Sequence, residues 1–138
     1  MSEPVVIDTK FNSPINKVWS ALTTPETLSE WMMFKSNTFK PEVGHKFQFS
    51  GAQGYDQTIE CEVTELNEPN KLAYTWLAPG VDGELSETLV TFTLSESDGG
   101  TDLNLVITGF KEDARQEKGG AKAGWQYMFS KLEKVLAA

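Results

Sequence analysis

The sequence predicts an α+β fold: an antiparallel sheet of about six to seven strands around a long C-terminal helix, with two short helices after the first strand. The terminal helix is predicted by a single apolar face at helical spacing. The sheet is predicted by residues 46–109, where apolar and polar residues alternate between turns. A strongly amphipathic helix that follows such strands must bury its face against them. A curved sheet that clasps this helix leaves room for a cavity, where we expect any function to lie. The helix face consists of Trp125, Met128, Phe129, Leu132, Val135 and Leu136.

The first forty residues predict one strand and then two short helices. Alternation over residues 5–11 predicts the strand. Ser13-Pro14 is a helix start, with a capping hydroxyl followed by proline at the first helical position. Thr24-Pro25 repeats this signal and predicts a second helix through Met32. The two helices have a helix–turn–helix order, but no basic residues accompany them to contact DNA, so DNA binding is disfavoured.

The central part of the chain predicts an antiparallel meander, because tight turns separate its successive strands. Turn signals fall at residues 41–44, 51–54, 68–70, 79–83 and 97–100. Gly119-Gly120 then interrupts the approach to the terminal helix, which starts at Ala121 or starts earlier and bends there. The apolar strand faces are Phe47 and Phe49; Ile59, Cys61 and Val63; Leu72, Tyr74 and Trp76; Val90, Phe92 and Leu94; and Leu103, Leu105 and Ile107.

Composition and charge exclude several classes of function. The 138 residues fit one domain, residues 1–138, with a formal net charge of −8. An acidic surface repels phosphate backbones and anionic membranes, so we expect no nucleic-acid or membrane partner. Cys61 and His45 are the only cysteine and histidine, too few for a disulfide or a typical zinc site. We therefore expect no metal and no cofactor. No leader and no apolar run of membrane-spanning length is present, which predicts a cytoplasmic protein.

The order of these elements and several short motifs resemble the helix-grip, or START-like (SRPBCC), superfamily. Within it, the chain is similar to the group related to the activator of the heat-shock protein ninety ATPase. This resemblance covers essentially the whole chain and implies a curved sheet that grips the terminal helix, while the short helices close one end. The motifs are Ser13-Pro14, Val18-Trp19-Ser20-Ala21-Leu22-Thr23, Pro25-Glu26-Thr27-Leu28, Trp31, Gly44-His45-Lys46-Phe47, Leu72-Ala73-Tyr74-Thr75-Trp76, Gly100-Thr101-Asp102-Leu103, Gly109-Phe110 and Gly124-Trp125.

The surplus of large aromatic residues supplies the candidate ligand-binding residues. Aromatic rings give wide apolar walls, and tyrosine and tryptophan add single polar groups that orient a ligand. The alternative interpretation is that the same side chains simply fill the core. The candidates are Trp31, Met33, Phe47, Phe49, Cys61, Tyr74, Trp76, Phe92, Trp125, Met128 and Phe129.

The sequence contains no recognisable catalytic set. Cys61 lies on an apolar strand face, which favours a small buried hydrophobic residue over a nucleophile. His45 follows a glycine in a turn, which favours a solvated loop residue. No nucleophile, base and orienting group occur in a recognisable pattern.

The leading hypothesis is therefore a non-enzymatic domain that binds a hydrophobic or amphipathic small molecule in the cavity. Related helix-grip proteins often hold such molecules but share no single reaction. Two alternatives stay open: a co-chaperone-like or other protein-interaction module, with a chaperone as partner, and an enzyme acting on a hydrophobic substrate. The chain is expected to be a monomer or a homodimer.

Overall fold

The computed structural model describes residues 3–52, 57–79, 84–111 and 114–137, and it confirms the predicted α+β helix-grip fold. One sheet contains seven strands, in the spatial order β1-β7-β6-β5-β4-β3-β2. The elements in chain order are β1 (Val5–Phe11), α1 (Ile15–Thr23), α2 (Pro25–Trp31), β2 (Ser36–Asn37), β3 (Lys46–Ser50), β4 (Ile59–Asn67), β5 (Lys71–Pro79), β6 (Leu85–Ser97), β7 (Gly100–Thr108) and α3 (Arg115–Ala137).

The sheet is the antiparallel meander that the turn spacing predicts. Strands β2 to β6 each pair with the next strand along the chain, and β1 pairs with β7. In β1 and β7, buried residues alternate with more exposed ones along most of the strand, because strand side chains alternate between the two faces of the sheet. The curved sheet turns its apolar face toward α3, whose buried residues are those of the predicted helical stripe except Val135, which is partly buried.

The start of α1 differs from the prediction. The helix begins at Ile15, Pro14 is its N-cap residue, and no side chain caps it. The Pro14 carbonyl accepts the first helical hydrogen bonds, from the backbone N–H groups of Lys17 and Val18. Ser13 is therefore one residue too early to cap the helix. Its own carbonyl accepts a 2.8 Å hydrogen bond from the Thr101 hydroxyl, which ties the chain to β7.

The second helix starts where proline predicts but also lacks a side-chain cap. Helix α2 begins at Pro25, after the N-cap residue Thr24. The Thr24 hydroxyl lies 3.4 Å from the Ser20 hydroxyl on the preceding helix instead of capping α2. Helix entry here depends on the fixed φ of proline, which is already suited to a first helical residue.

Helix α3 takes the longer of the two predicted forms. It begins at Arg115 and continues through Gly119 and Gly120 to Ala137. Near its C-terminus, the Lys17 ammonium donates a 2.6 Å hydrogen bond to the Leu136 carbonyl, which joins α3 to α1. The short strand β2 was not predicted, since two residues are too few to show alternation. The predicted loop residues 53–54 and 80–83 lie outside the described residues.

Candidate functional site

A cavity of about 840 Å³ lies between the sheet and α3, and the helix residues that border it range from Gln116 to Lys131. This volume is within the range of small-molecule pockets, roughly 300–1,000 Å³. The sheet contributes one wall, formed mainly by Ile59, Trp76, Ala78, Thr88, Val90 and Ile107. Helix α3 contributes the other, formed by Gln116, Glu117, Gly120, Ala121, Trp125, Tyr127 and Lys131, and Met33, Phe34, Ala52 and Phe110 lie between the two walls.

Three aromatic side chains give the cavity its flat apolar surfaces. The ring centroids of Trp76 and Trp125 are 5.5 Å apart, with an interplanar angle of 58°. Phe34 meets Trp76 edge-on at 6.0 Å. Because tilted rings expose their faces in different directions, this group offers a ligand a concave apolar surface.

Three of the eleven predicted ligand-binding residues, Met33, Trp76 and Trp125, border the cavity. Met33 is the exposed member of this group, with 41% of its surface accessible to solvent. The other eight do not border it and are buried in the core: Trp31, Phe47, Phe49, Cys61, Tyr74, Phe92, Met128 and Phe129. Contact of any of the eleven with a ligand stays a prediction.

The buried aromatic candidates form, together with Trp125, a continuous cluster behind the cavity. Trp31 packs against Phe129 and Trp125, with centroid distances of 6.2 and 6.5 Å. The indole N–H of Trp31 donates a 2.9 Å hydrogen bond to the Ala21 carbonyl, so its polar atom is satisfied within the core. Trp125 also meets Phe92 at 5.6 Å, which connects the cavity wall directly to this cluster. The cluster therefore holds the aromatic wall in place.

Several lining residues were not among the predicted candidates. Ile59, Val90 and Ile107 border the cavity, and the alternation of their strands had already placed them on the inward face. The alternation of apolar residues would therefore have been enough to include these three residues among the candidates. Gln116 and Glu117 could not be placed without knowing that α3 starts before the glycine pair.

Polar groups are few in the lining and lie mostly on α3. The Thr88 hydroxyl is oriented toward the Trp76 carbonyl at 3.5 Å. On α3, the Lys131 ammonium lies 5.9 Å from the centroid of the Tyr127 ring. Tyr127, Gly120 and Met33 are exposed members of the lining, and we call the part of the cavity that they border the rim. The cavity thus has a mainly apolar lining, and most of its polar side chains are on α3.

Burial raises the pKa of two side chains on the sheet, the Cys61 thiol and the Tyr74 hydroxyl, and thereby favours their neutral forms. Loss of hydration raises the pKa of the Cys61 thiol, and the nearby Glu60 carboxylate adds to the effect. Burial likewise raises the pKa of the Tyr74 hydroxyl well above its ordinary value, with a further contribution from Cys61. Because a thiolate is the reactive form of cysteine, burial and the raised pKa both disfavour a reaction at Cys61 in the folded protein.

Cys61 is expected to stay unreactive toward a chromogenic disulfide reagent, even near pH 9, while the protein is folded. An ordinary cysteine ionises at about pH 8.5, so the reaction of an accessible thiol with the reagent becomes much faster as the pH rises from about 7 to 9. In the native protein, the raised pKa and burial suppress the reaction. Absorbance kinetics in buffer and in denaturant measure the difference. Rapid labelling of the folded protein that follows thiolate formation with pH would contradict this assignment.

His45 has a structural role in the loop before β3. Its Nε2 atom lies 2.9 Å from the Thr38 carbonyl oxygen, and its ring stacks on Phe47 at 6.4 Å. It is partly buried rather than fully solvated. Within the described ranges, no three His, Cys, Asp or Glu side chains are grouped so that they could hold a metal ion. In the same part of the chain, no helix is long and apolar enough to cross a membrane.

Comparison with protein families gives a match over nearly the whole chain. The family model described as Activator of Hsp90 ATPase homolog 1-like protein matches residues 12–137. Among functionally curated proteins, no sequence matches this chain.

Solved structures with the same fold cover the chain almost completely. Protein MLL2253 from Mesorhizobium loti is 39% identical, with a TM-score of 0.88, and the match covers 98% of this chain and 97% of that one. The Bacillus halodurans protein BH1534 is 29% identical, with a TM-score of 0.79 and coverages of 98% and 97%. DynU16, a putative protein in the dynemicin biosynthetic locus, is 22% identical at a TM-score of 0.84. That match covers 100% of this chain and 48% of DynU16, and it shows the shared fold alone.

Proposed function

We propose that this chain, which belongs to the family of activator of Hsp90 ATPase homolog 1-like proteins, binds a hydrophobic or amphipathic small molecule without transforming it. The observation that carries the proposal is the cavity of about 840 Å³ between the sheet and α3, with Trp76 and Trp125 in its walls. Burial of apolar ligand surface supplies the binding free energy, at about 25 cal/mol per Å² before the costs of association.

The chemistry of the lining favours binding over catalysis. Of the described residues that border the cavity, none is a histidine or a cysteine. Cys61 is buried elsewhere with a raised pKa, and His45 lies in a loop, with its ring nitrogen beside a carbonyl. The described lining residues therefore lack the imidazole that most often serves as a general base and the thiol that most readily serves as a nucleophile, whereas they offer large apolar surfaces.

Narrowing the cavity is expected to weaken binding without unfolding the protein. Ala121 lies partly buried on α3 and borders the cavity, so Ala121→Phe places a ring inside it. We expect this variant to bind the neutral amphiphile dodecanol at least about tenfold more weakly than the unchanged protein, a difference of ~1.4 kcal/mol. Intrinsic tryptophan fluorescence measures the affinity, since Trp76 and Trp125 border the site.

The matched control is Ala123→Phe, which introduces the same ring at an exposed position on the same helix. Both variants carry the same loss of helix propensity, so only the location of the ring differs. Dodecanol should also raise the midpoint of thermal unfolding of the unchanged protein as its concentration exceeds the Kd. Equal dodecanol affinity in the two variants, or no thermal shift with the unchanged protein, would overturn the proposal.

A further inference from the structure

The described lining of the cavity contains two charged side chains, and both lie on α3. They are Glu117 and Lys131, fourteen residues apart on the helix. At 1.5 Å per residue, their positions are roughly 21 Å apart along the helix axis. The two ends of the site therefore carry opposite charges. A charged group of a ligand bound at one end interacts mainly with the charge at that end.

Glu117 has a structural reason for its position. It lies in the first turn of α3, where the helix dipole favours a carboxylate. It also already interacts with another group of the protein. The carboxylate thus contributes to the start of the helix, independently of any ligand.

Lys131 has no comparable partner of opposite charge among the residues that the structure describes. It lies well before the last turn of α3, and it takes part in none of the ion pairs between described residues. Its side chain is half-buried, and its ammonium lies 5.9 Å from the centroid of the exposed Tyr127 ring. A ring face attracts and orients an ammonium but leaves its formal charge uncompensated. The aliphatic stem meanwhile covers apolar surface at the rim.

We propose that the natural ligand is an anionic amphiphile whose carboxylate-like group pairs with Lys131 at the rim. Its apolar part then occupies the cavity that Trp76 and Trp125 border. The protein carries a net charge of −8, so an anion is attracted only where a local cation overcomes that background. At physiological salt, distant acidic groups are screened over about 8 Å, whereas a contact pair is screened much less. This inference rests on the proposed function and adds the sign of the ligand's charge.

The test compares three amphiphiles that share a twelve-carbon chain: dodecanoate, dodecanol and dodecyltrimethylammonium. Affinities are measured by tryptophan fluorescence and by calorimetry, below the concentrations at which each probe forms micelles. We expect dodecanoate to bind roughly tenfold more tightly than dodecanol, in line with a partly desolvated, charge-assisted hydrogen bond. We expect dodecyltrimethylammonium to bind most weakly. The preference for dodecanoate should shrink as the salt concentration rises to about 0.5 M.

Two substitutions separate Lys131 from the general charge of the protein. Lys131→Gln should remove the preference for dodecanoate, so that the Kd values of this variant for dodecanoate and for dodecanol become about equal. Lys134→Gln removes an equal charge from an exposed position on the same helix and should keep the preference. Glutamine is nearly as good a helix former as lysine, so both variants are expected to fold.

The outcomes distinguish this inference from the proposed function. If dodecanol and dodecanoate bind with equal affinity, or if Lys131→Gln keeps the preference, the inference is wrong while ligand binding in the cavity stands. If the two glutamine variants lose the preference equally, overall charge and not Lys131 is responsible, and the inference is again wrong. If none of the three amphiphiles binds, both the proposed function and the inference fail.

Discussion

Leu132→Ala is expected to lower the free energy of unfolding by about 2–5 kcal/mol, the range for removal of a buried leucine side chain. Leu132 is fully buried, with none of its surface accessible to solvent. It lies on the face of α3 that packs against β1, α1 and α2, so the cavity left by the substitution opens inside the core. Denaturation in urea, followed by far-ultraviolet circular dichroism, measures the change as a shift in the midpoint at constant slope.

The same substitution is expected to leave ligand binding intact. Leu132 does not border the cavity, and its role is to hold the C-terminal half of α3 against the rest of the protein. The dodecanol affinity should therefore stay unchanged at temperatures where the variant is fully folded. Lys134→Ala, an exposed change on the same helix, is the control and should alter neither quantity. A stability loss below about 1 kcal/mol, typical of a surface change, would contradict this account of the helix.

The architecture was predictable because its signals are periodic and repeated. The alternation in β1 and the helical stripe from Trp125 to Leu136 each describe a surface with one buried face, and such faces have few ways to pack. The exceptions were local. Pro14 displaced the helix start from Ser13, because capping depends on backbone geometry at a single residue. Strand β2 depends on pairing with β3 and leaves no periodic trace in its two residues.

The candidate site was less predictable, because burial and exposure to a cavity look the same in a sequence. Tyr74 and Trp76 share one strand face, yet Tyr74 is buried in the aromatic cluster whereas Trp76 borders the cavity. Trp76 lies where α3 and the sheet leave a gap, whereas Tyr74 lies where the packing is closed. The position of this gap depends on tertiary packing, which a sequence pattern does not reveal. Lys131 was missed for another reason. A lysine on a helix ordinarily indicates a solvated face, and only the structure shows that it reaches the rim.

Trp125→Ala is expected both to destabilise the protein by about 3–5 kcal/mol and to weaken dodecanol binding. The sequence analysis placed Trp125 among the candidate ligand-binding residues, and a residue with that role alone would affect binding more than folding. In the structure, however, only 4% of the Trp125 surface is accessible, and its ring contacts Trp31, Trp76, Phe92 and Phe129. One face of the residue is therefore core and another is cavity wall, so stability and affinity should fall together. Urea denaturation and fluorescence from Trp76 measure the two effects on the same sample.

Comparison with Trp125→Phe and Leu132→Ala separates the two roles of Trp125. Phenylalanine keeps an aromatic ring against Phe92 and Trp31, so we expect Trp125→Phe to recover most of the stability but only part of the affinity. Leu132→Ala should instead lose stability and keep its affinity. If Trp125→Ala binds dodecanol as tightly as Leu132→Ala does, the Trp125 ring is core alone, and the ligand must occupy the cavity without contacting this wall. Loss of affinity in Leu132→Ala as well would mean that the cavity depends on the position of the whole of α3 rather than on Trp125.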